Sequence, residues 1–329
     1  MTPLAPHVEA FFRTHLAGER GCSRHTCDTY AYAFQLLLSF AATRHRTSPS
    51  SLSLEHLDAP LVLDFLAHLE TRRRNAAATR NSRLVAIKSF AHFLEYRVPA
   101  AMDQVRRILA IPVKKTDLPL VDYLTRDEVQ ALLDAPQPTT RLGIRDRAML
   151  HVSFAAGLRV SELIGLRRDE VQLHPDASIH VRGKGRRERV LPLWKQTTAA
   201  LQAWFAVRGE VSTPEVFVSA RGRPLTRSGV EYVLHKHVQH ATARMPSIAS
   251  KRVSPHVLRR SCAMHTLQAT RDVRKVSLWL GHASIKSTEI YLRADLTEKL
   301  AILNAGVAPS LRPGHFKPPD RLLAMLRPS

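Results

Sequence analysis

The chain has 329 residues, too many for one ordinary core and enough for two domains. Lys and Arg total 49 against 28 Asp and Glu, a formal charge of +21. Such a chain repels itself without a polyanionic partner, which makes nucleic acid the first candidate. A membrane is disfavoured, because no apolar run approaches the ~20 residues of a spanning helix. The start of the chain lacks the charged-then-apolar order of a signal peptide, so we expect a cytoplasmic protein. Cys22, Cys27 and Cys262 are odd in number and follow no disulfide framework. Cys22 and Cys27 have no second ligand pair at zinc spacing, and we expect neither a metal nor another cofactor.

Residues 1–112 read as a helical bundle. Apolar side chains recur at helical spacing over 7–15 (Val8, Phe11, Phe12), 26–43 (Tyr30, Phe34, Leu37, Leu38, Ala41), 59–70 (Leu63, Leu66, Leu69) and 79–96 (Leu84, Ile87, Phe90, Ala91, Leu94). Ser23 or Thr26 marks the start of the second segment, and Asp58 with Pro60 the start of the third. The fourth has a basic entry, Thr71-Arg72-Arg73-Arg74-Asn75 and then Thr79-Arg80-Asn81-Ser82-Arg83. That pattern suits DNA, with Arg80 toward phosphate and Asn81 and Arg83 toward base edges. Arg24 marks a weaker second contact surface. A solvated helix start is the competing reading. Residues 113–119 form an extended linker whose Lys114 and Lys115 are placed to lie along DNA.

A second domain is expected over 120–308. Thr125 and Glu128 have capping-box spacing ahead of a helix over 129–134. Another helix, 145–155, stops at Gly157. In Gly157-Leu158-Arg159-Val160-Ser161-Glu162-Leu163 we expect Ser161 to begin or cap a short helix. Glu162, three residues from Arg159, is spaced to hold its guanidinium. The period then falls to two. Ile179 and Val181 precede Arg182-Gly183-Lys184-Gly185-Arg186-Arg187, and Val190, Leu191 and Leu193 follow. This is a β-hairpin with a lysine at its glycine-flanked tip, and Arg186 and Arg187 are candidate DNA contacts. Phosphate-loop spacing is absent. Helices are expected over 198–207 and 228–242, with Phe217 and Val218 as a short strand or buried connector. His235, His237 and His240 have basic neighbours and no carboxylate or thiol partners, so we read them as DNA-facing or solvated.

In residues 254–295, His256 and Arg259 share a helix face. Val273, Val276 and Leu280 stripe the next helix, which Gly281 stops, leaving His282 at its end. Ser284 is expected to cap the helix that carries Tyr291. Alone, each is ordinary: a surface His–Arg pair, a helix stop, a packed tyrosine. Together a phenol, two imidazoles and arginines suit attack on a phosphodiester.

The ordered set Gly157-Leu158-Arg159-Val160-Ser161-Glu162-Leu163, Lys184, His256-x-x-Arg259, Leu280-Gly281-His282 and Tyr291 resembles the tyrosine recombinases, also called the phage integrase family. The run from Leu278 to Leu296 resembles members carried by mobile elements. The resemblance implies a mostly α fold with a small antiparallel β-sheet: a helical core-binding, DNA-binding domain followed by a catalytic domain. It implies that Tyr291 is the nucleophile, leaving a 3′-phosphotyrosine and a free 5′-hydroxyl. Arg159 and Arg259 clamp the phosphate, His282 donates to it, Lys184 protonates the leaving oxygen, His256 is the acid–base partner and Glu162 supports the site. Arg260 and Ser261-Cys262 depart from the family's usual residues, as does Thr270 at a turn where glycine is common. The implied working form is a homotetramer on two double-stranded DNA sites, alone or with related recombinases. Residues 296–303 resemble a short exchanged helix that is equally able to fold back in cis, and 309–329 form a basic, proline-rich tail. The rival readings are a type IB topoisomerase-like enzyme and a non-catalytic DNA-binding accessory factor.

Overall fold

A computed structural model describes residues 1–117, 121–183, 187–282 and 284–295. It divides into two compact units, Met1–Leu118 and Pro119–Ser329. In the first, α1 (Leu4–Ala10) runs into a π-helical stretch, Phe11–Glu19, followed by α2 (Arg24–His45), α3 (Ala59–Thr71), α4 (Ala77–Arg97) and α5 (Met102–Ala110). Their apolar stripes meet around Phe11, whose ring centroid lies 5.2–5.9 Å from those of Phe12, Phe34, Phe90 and Phe93. Ser23 caps α2 and Asp58 caps α3, accepting from the backbone N–H of Thr26 and Leu61. The expected segments do not include α5, a helix of nine residues that buries only Val105 and Ile108. Gln104 fastens it by donating to the carbonyls of Leu54 and Leu57.

The second unit begins with α6 (Arg126–Leu133), which carries the expected Thr125–Glu128 capping box. Next is α7 (Arg141–Ala155), four residues longer than expected because Thr140 caps it by accepting from Gly143 N–H. Every residue from Ala148 to Ala155 is buried. Leu150 and Phe154 belong to one core cluster, and Ala148, Met149 and Val152 to the other, so α7 is the shared wall of the unit. Then come α8 (Val160–Gly165), a sheet of β1 (Val171–Gln172), β2 (Ser178–Arg182) and β3 (Glu188–Pro192), α9 (Lys195–Arg208), α10 (Arg227–Arg244), α11 (Pro255–Thr270), α12 (Val273–Leu280) and α13 (Glu289–Ala294). The sheet is antiparallel in the order β1-β2-β3, with Ile179 opposite Leu191 and Val181 opposite Arg189. Ile179, Val181 and Leu191 face inward, whereas Val190 faces out. Phe217 and Val218 are a buried connector, Val218 bridging to Pro224.

Four local expectations need correction. The cap of α8 is Arg159, because Glu162 reaches back to its N–H and leaves Ser161 inside the helix. Ser284 caps a separate 3₁₀ turn, Ile285–Ser287, and α13 starts after Thr288. The left-handed turn after α11 falls on Arg271, with φ 52°, not on Thr270. His237 is neither DNA-facing nor solvated. It is buried with Nε2 2.8 Å from Asp146 Oδ2, while Arg145 holds the other carboxylate oxygen. His235 and His240 remain exposed.

Candidate active site

Two chain turns and helix α11 converge on the catalytic candidates. At Gly157 the backbone takes φ 55°, and a Cβ there would lie 2.6 Å from Leu280 Cδ2, so the position needs glycine twice over. The turn sets Arg159 at the head of α8. Glu162 Oε1 accepts from the Arg159 guanidinium at 2.7 Å, and Oε2 from its backbone N–H at 3.0 Å. Burial alone would raise the Glu162 pKa, but hydrogen bonds from Arg189 and Arg159 hold it below the usual carboxylate value.

Arg259 lies in the second turn of α11 and is only 5% exposed. Its guanidinium donates to the carbonyl of Gly157 and, at 2.8 Å, to that of Leu280. These carbonyls flank the two glycine motifs, so the motifs are the bracket that aims this arginine. It also approaches Glu162 Oε2 at 3.8 Å. Burial, then Arg159, brings its pKa down to about 10, which leaves it cationic at neutral pH. His256, one turn earlier on α11, is exposed, and its pKa is lowered by partial burial and by Arg260, Arg227 and Arg259. It is therefore mostly neutral near pH 7 and able to accept a proton.

Gly281, with φ 64°, ends α12 and delivers His282. His282 Nδ1 lies 2.7 Å from the hydroxyl of Thr288, a fully buried residue. Burial, then Arg259, Arg159 and Arg189, lowers the His282 pKa to about 4. The Tyr291 ring lies nearly parallel to the imidazole, at 15° and 6.5 Å between centroids. Tyr291 is 6% exposed, and its burial raises the phenol pKa against the opposing charges of Arg259 and Arg260. The phenol is thus protonated at neutral pH and needs a base.

The structure therefore brings Arg159, Glu162, Arg259, His282 and Tyr291 together, with His256 on the helix of Arg259. Lys184 and Arg186 lie outside the described residues, while Arg187 is exposed beside them. Two contributors were missed. Thr288 gave no signal beyond its distance from His282. Arg189 had one, since period two places it on the same face as the core residue Leu191. Among the described residues no cluster of His, Cys, Asp or Glu could hold a metal ion, and no helix is long and apolar enough to cross a membrane.

In the first unit two DNA candidates are engaged by the chain itself. Arg80 is 5% exposed and donates to Pro112 O and Asn81 Oδ1, both at 3.2 Å. The Asn81 side-chain amide pairs with both the N–H and the C=O of Lys114, whose ammonium meets Glu70 at 2.8 Å. Arg80 and Asn81 therefore brace the segment after α5. They are claimed by backbone groups distant in sequence. Arg24 and Lys115 are exposed. Arg83 packs 4.8 Å over the ring of Tyr32, whose hydroxyl accepts from Arg73.

Comparison with known proteins agrees with this arrangement. The phage integrase family model matches residues 122–298, and the phage integrase N-terminal SAM-like domain matches 8–97. The chain belongs to the phage integrase family. It is 44% identical to y4rC of Sinorhizobium fredii, named as an integrase/recombinase, over 98% of this chain and 97% of that one. It is 32% identical to tyrosine recombinase XerC of Pelobacter propionicus, over 92% and 95% respectively. The structure of XerH site-specific recombinase bound to palindromic difH substrate aligns with a TM-score of 0.66 at 20% identity, covering 87% of this chain and 81% of that one, and shares its fold. The protein is thus a tyrosine recombinase, a DNA cleaving and rejoining enzyme, as the ordered motifs implied.

Proposed function

We propose that this recombinase cuts one DNA strand at a time with Tyr291, in a tetramer of the chain assembled on two duplex sites. The phenolic oxygen attacks phosphorus as the bond to the 5′-oxygen breaks, leaving a 3′-phosphotyrosine and a 5′-hydroxyl. His256 takes the phenolic proton. Arg159 and Arg259 hold the non-bridging oxygens and stabilise the extra charge of the pentacoordinate transition state. His282 donates to the same phosphate from Nε2 while Thr288 donates to Nδ1. Lys184 is assigned the leaving-oxygen proton on its motif alone. Because one phosphodiester replaces another, attack by a 5′-hydroxyl rejoins the strand without ATP. Tyr291 is buried, so α13 has to turn the phenol toward the bound phosphate.

The observation that carries this reading is the convergence of Arg159 and Arg259 on Glu162, with the His282–Tyr291 pair among their electrostatic partners. For assembly, the support is an apolar cavity of about 1420 Å³ in the second unit, lined in part by Leu133, Val190, Trp194, Leu278 and Trp279. Leu278 is 80% exposed and Val190 65%. Such a surface suits an apolar segment of a neighbouring copy, and Leu296, Leu300 and Leu303, outside the described residues, supply one in sequence. Arg24, Arg83, Lys115 and Arg187 are the DNA contacts that remain. The near full-length similarity to y4rC, named as an integrase/recombinase, supports recombinase activity; we extend that reading to integration, excision or transposition of a mobile element in the cytoplasm. The test is trapping on a nicked duplex carrying the element's terminal sequences. A covalent adduct should form and should vanish in Tyr291→Phe. An adduct that survives the substitution would falsify the assignment.

A further inference from the structure

Arg189 is on β3, yet its side chain is only 10% exposed. It lies on the inward face of the sheet, opposite Val181 and two residues from Leu191, where the alternation calls for an apolar side chain. A guanidinium in such a place requires charged and hydrogen-bonded company. Glu162 supplies it: Arg189 Nη2 donates to Oε2 at 2.9 Å and Nη1 approaches Oε1 at 3.4 Å. This is the carboxylate that holds Arg159, on the same two oxygens.

One glycine makes room for it, and a second borders it. A Cβ at Gly281 would lie 3.1 Å from both Cδ and Nη1 of Arg189. A Cβ at Gly183, the last described residue before Lys184, would lie 3.4 Å from Glu162 Oε1 and 3.6 Å from Arg189 Nη1. The guanidinium thus sits where the base of the β2–β3 hairpin, the carboxylate and the turn before His282 meet. Among the described residues three guanidiniums share this one carboxylate, an excess of positive charge that matches an anion gaining charge in its transition state.

We infer that Arg189 is a positioning residue for strand cleavage: it ties the hairpin to Glu162 and to the Gly281 turn, and thereby fixes Arg159 and His282 relative to one another. The inference rests on the recombinase reading above. Arg189 acts through its neighbours and not by touching the reacting atoms. Its positive charge faces His282 together with Arg159 and Arg259, while Glu162 opposes them and Thr288 and Tyr291 complete the surroundings of the ring.

The experiment compares full-length wild type, Arg189→Met and Arg189→Lys. It measures single-turnover adduct formation on the nicked duplex, duplex affinity, thermal melting, and the imidazole ¹⁵N shifts of His282 against pH, assigned with His282→Asn. Arg189→Met should slow cleavage roughly 10- to 100-fold, as loss of an outer partner does at other sites. It should also raise the pH at which His282 titrates, because a nearby positive charge is gone. Arg189→Lys keeps the charge but not the fork, so cleavage should recover only in part while the His282 titration stays near wild type. Should Arg189→Met not fold, the lysine variant alone still decides. Wild-type cleavage in either variant overturns the inference, as does an equal rate loss in both with His282 unmoved, which would make Arg189 a plain structural strut. If wild type forms no Tyr291-dependent adduct, the recombinase assignment falls first and this inference with it.

Discussion

Arg80 in the helical bundle and Arg259 in the catalytic unit are buried to the same degree, each 5% exposed, and both donate to backbone carbonyls. As mechanical parts they are alike: each ties a helix to chain distant in sequence. What separates them is company. Near Arg80, Asn81 is taken up by Lys114, and the Lys114 ammonium is matched by Glu70. Near Arg259, one carboxylate serves Arg159 and Arg189 as well, so positive charge is left over. A buried guanidinium is a brace by default. It becomes part of an anion site when several guanidiniums converge on one carboxylate, as they do at Glu162 and, among the described residues, do not at Arg80.

The largest effect that sharpens this contrast lies at the nucleophile. Tyr291→Phe removes only an oxygen, so covalent adduct should fall to nothing while duplex affinity in a gel-shift titration stays at wild type. Next is the arginine bracket. Arg259→Lys keeps a charge but cannot reach the carbonyls of Gly157 and Leu280 together, and single-turnover cleavage should drop by about 10²–10³. Arg80→Lys, the matching change in the bundle, should leave the cleavage rate near wild type. If the two lysine variants lose equal rate, the distinction between brace and site is wrong.

A smaller effect separates stability from DNA binding within the bundle. Arg80→Met removes donors from Pro112 and Asn81 and should cost about 1–3 kcal/mol of unfolding free energy, read from urea titration. Arg83→Glu touches a half-exposed group and should instead weaken duplex binding, with a shallower dependence on salt. Weaker duplex binding by Arg80→Met than by Arg83→Glu would return Arg80 to the DNA face.

How far the sequence carried depended on whether a residue's role is local. The bundle stripes, the Thr125–Glu128 box and the stop at Gly157 arise within a few residues, and they read correctly except at Leu63, which is 47% exposed while Val62 and Phe65 take the core face of α3. Arg159 and Glu162 are three apart, so their bond was legible too. The inward contact of Arg80 was not legible, because its partner, Pro112, is far along the chain and spacing says nothing of that contact. His237 failed for the same reason: its partner, Asp146, is on another helix. Arg189 lies between these cases. Its alternation with Leu191 was visible, but that a charge on the inward face would find Glu162 was not. Thr288 sits six residues from His282 across a turn whose shape no periodicity gives.

The smallest expected effect concerns pH, and it also divides the two regions. Among the described residues, the histidines held clearly below their usual pKa are His151, His256, His265 and His282, all in the catalytic unit. His282 is lowered from 6.5 to about 4, first by burial and then by Arg259, Arg159 and Arg189. In the unfolded chain it takes up a proton near pH 6.5, whereas in the fold it does so only near pH 4. Between those values the unfolded state binds more protons, so stability falls as pH falls through the window and the loss ends below about pH 4. His282→Asn removes this one titration and leaves the other three. The drop in urea midpoint from about pH 6.5 to about pH 5 should therefore be smaller in the variant than in wild type, above the range where Glu162 begins to protonate. An equal drop would mean that the imidazole is not held neutral by burial and the three arginines together, which would count against positive charge converging where we propose the phosphate binds.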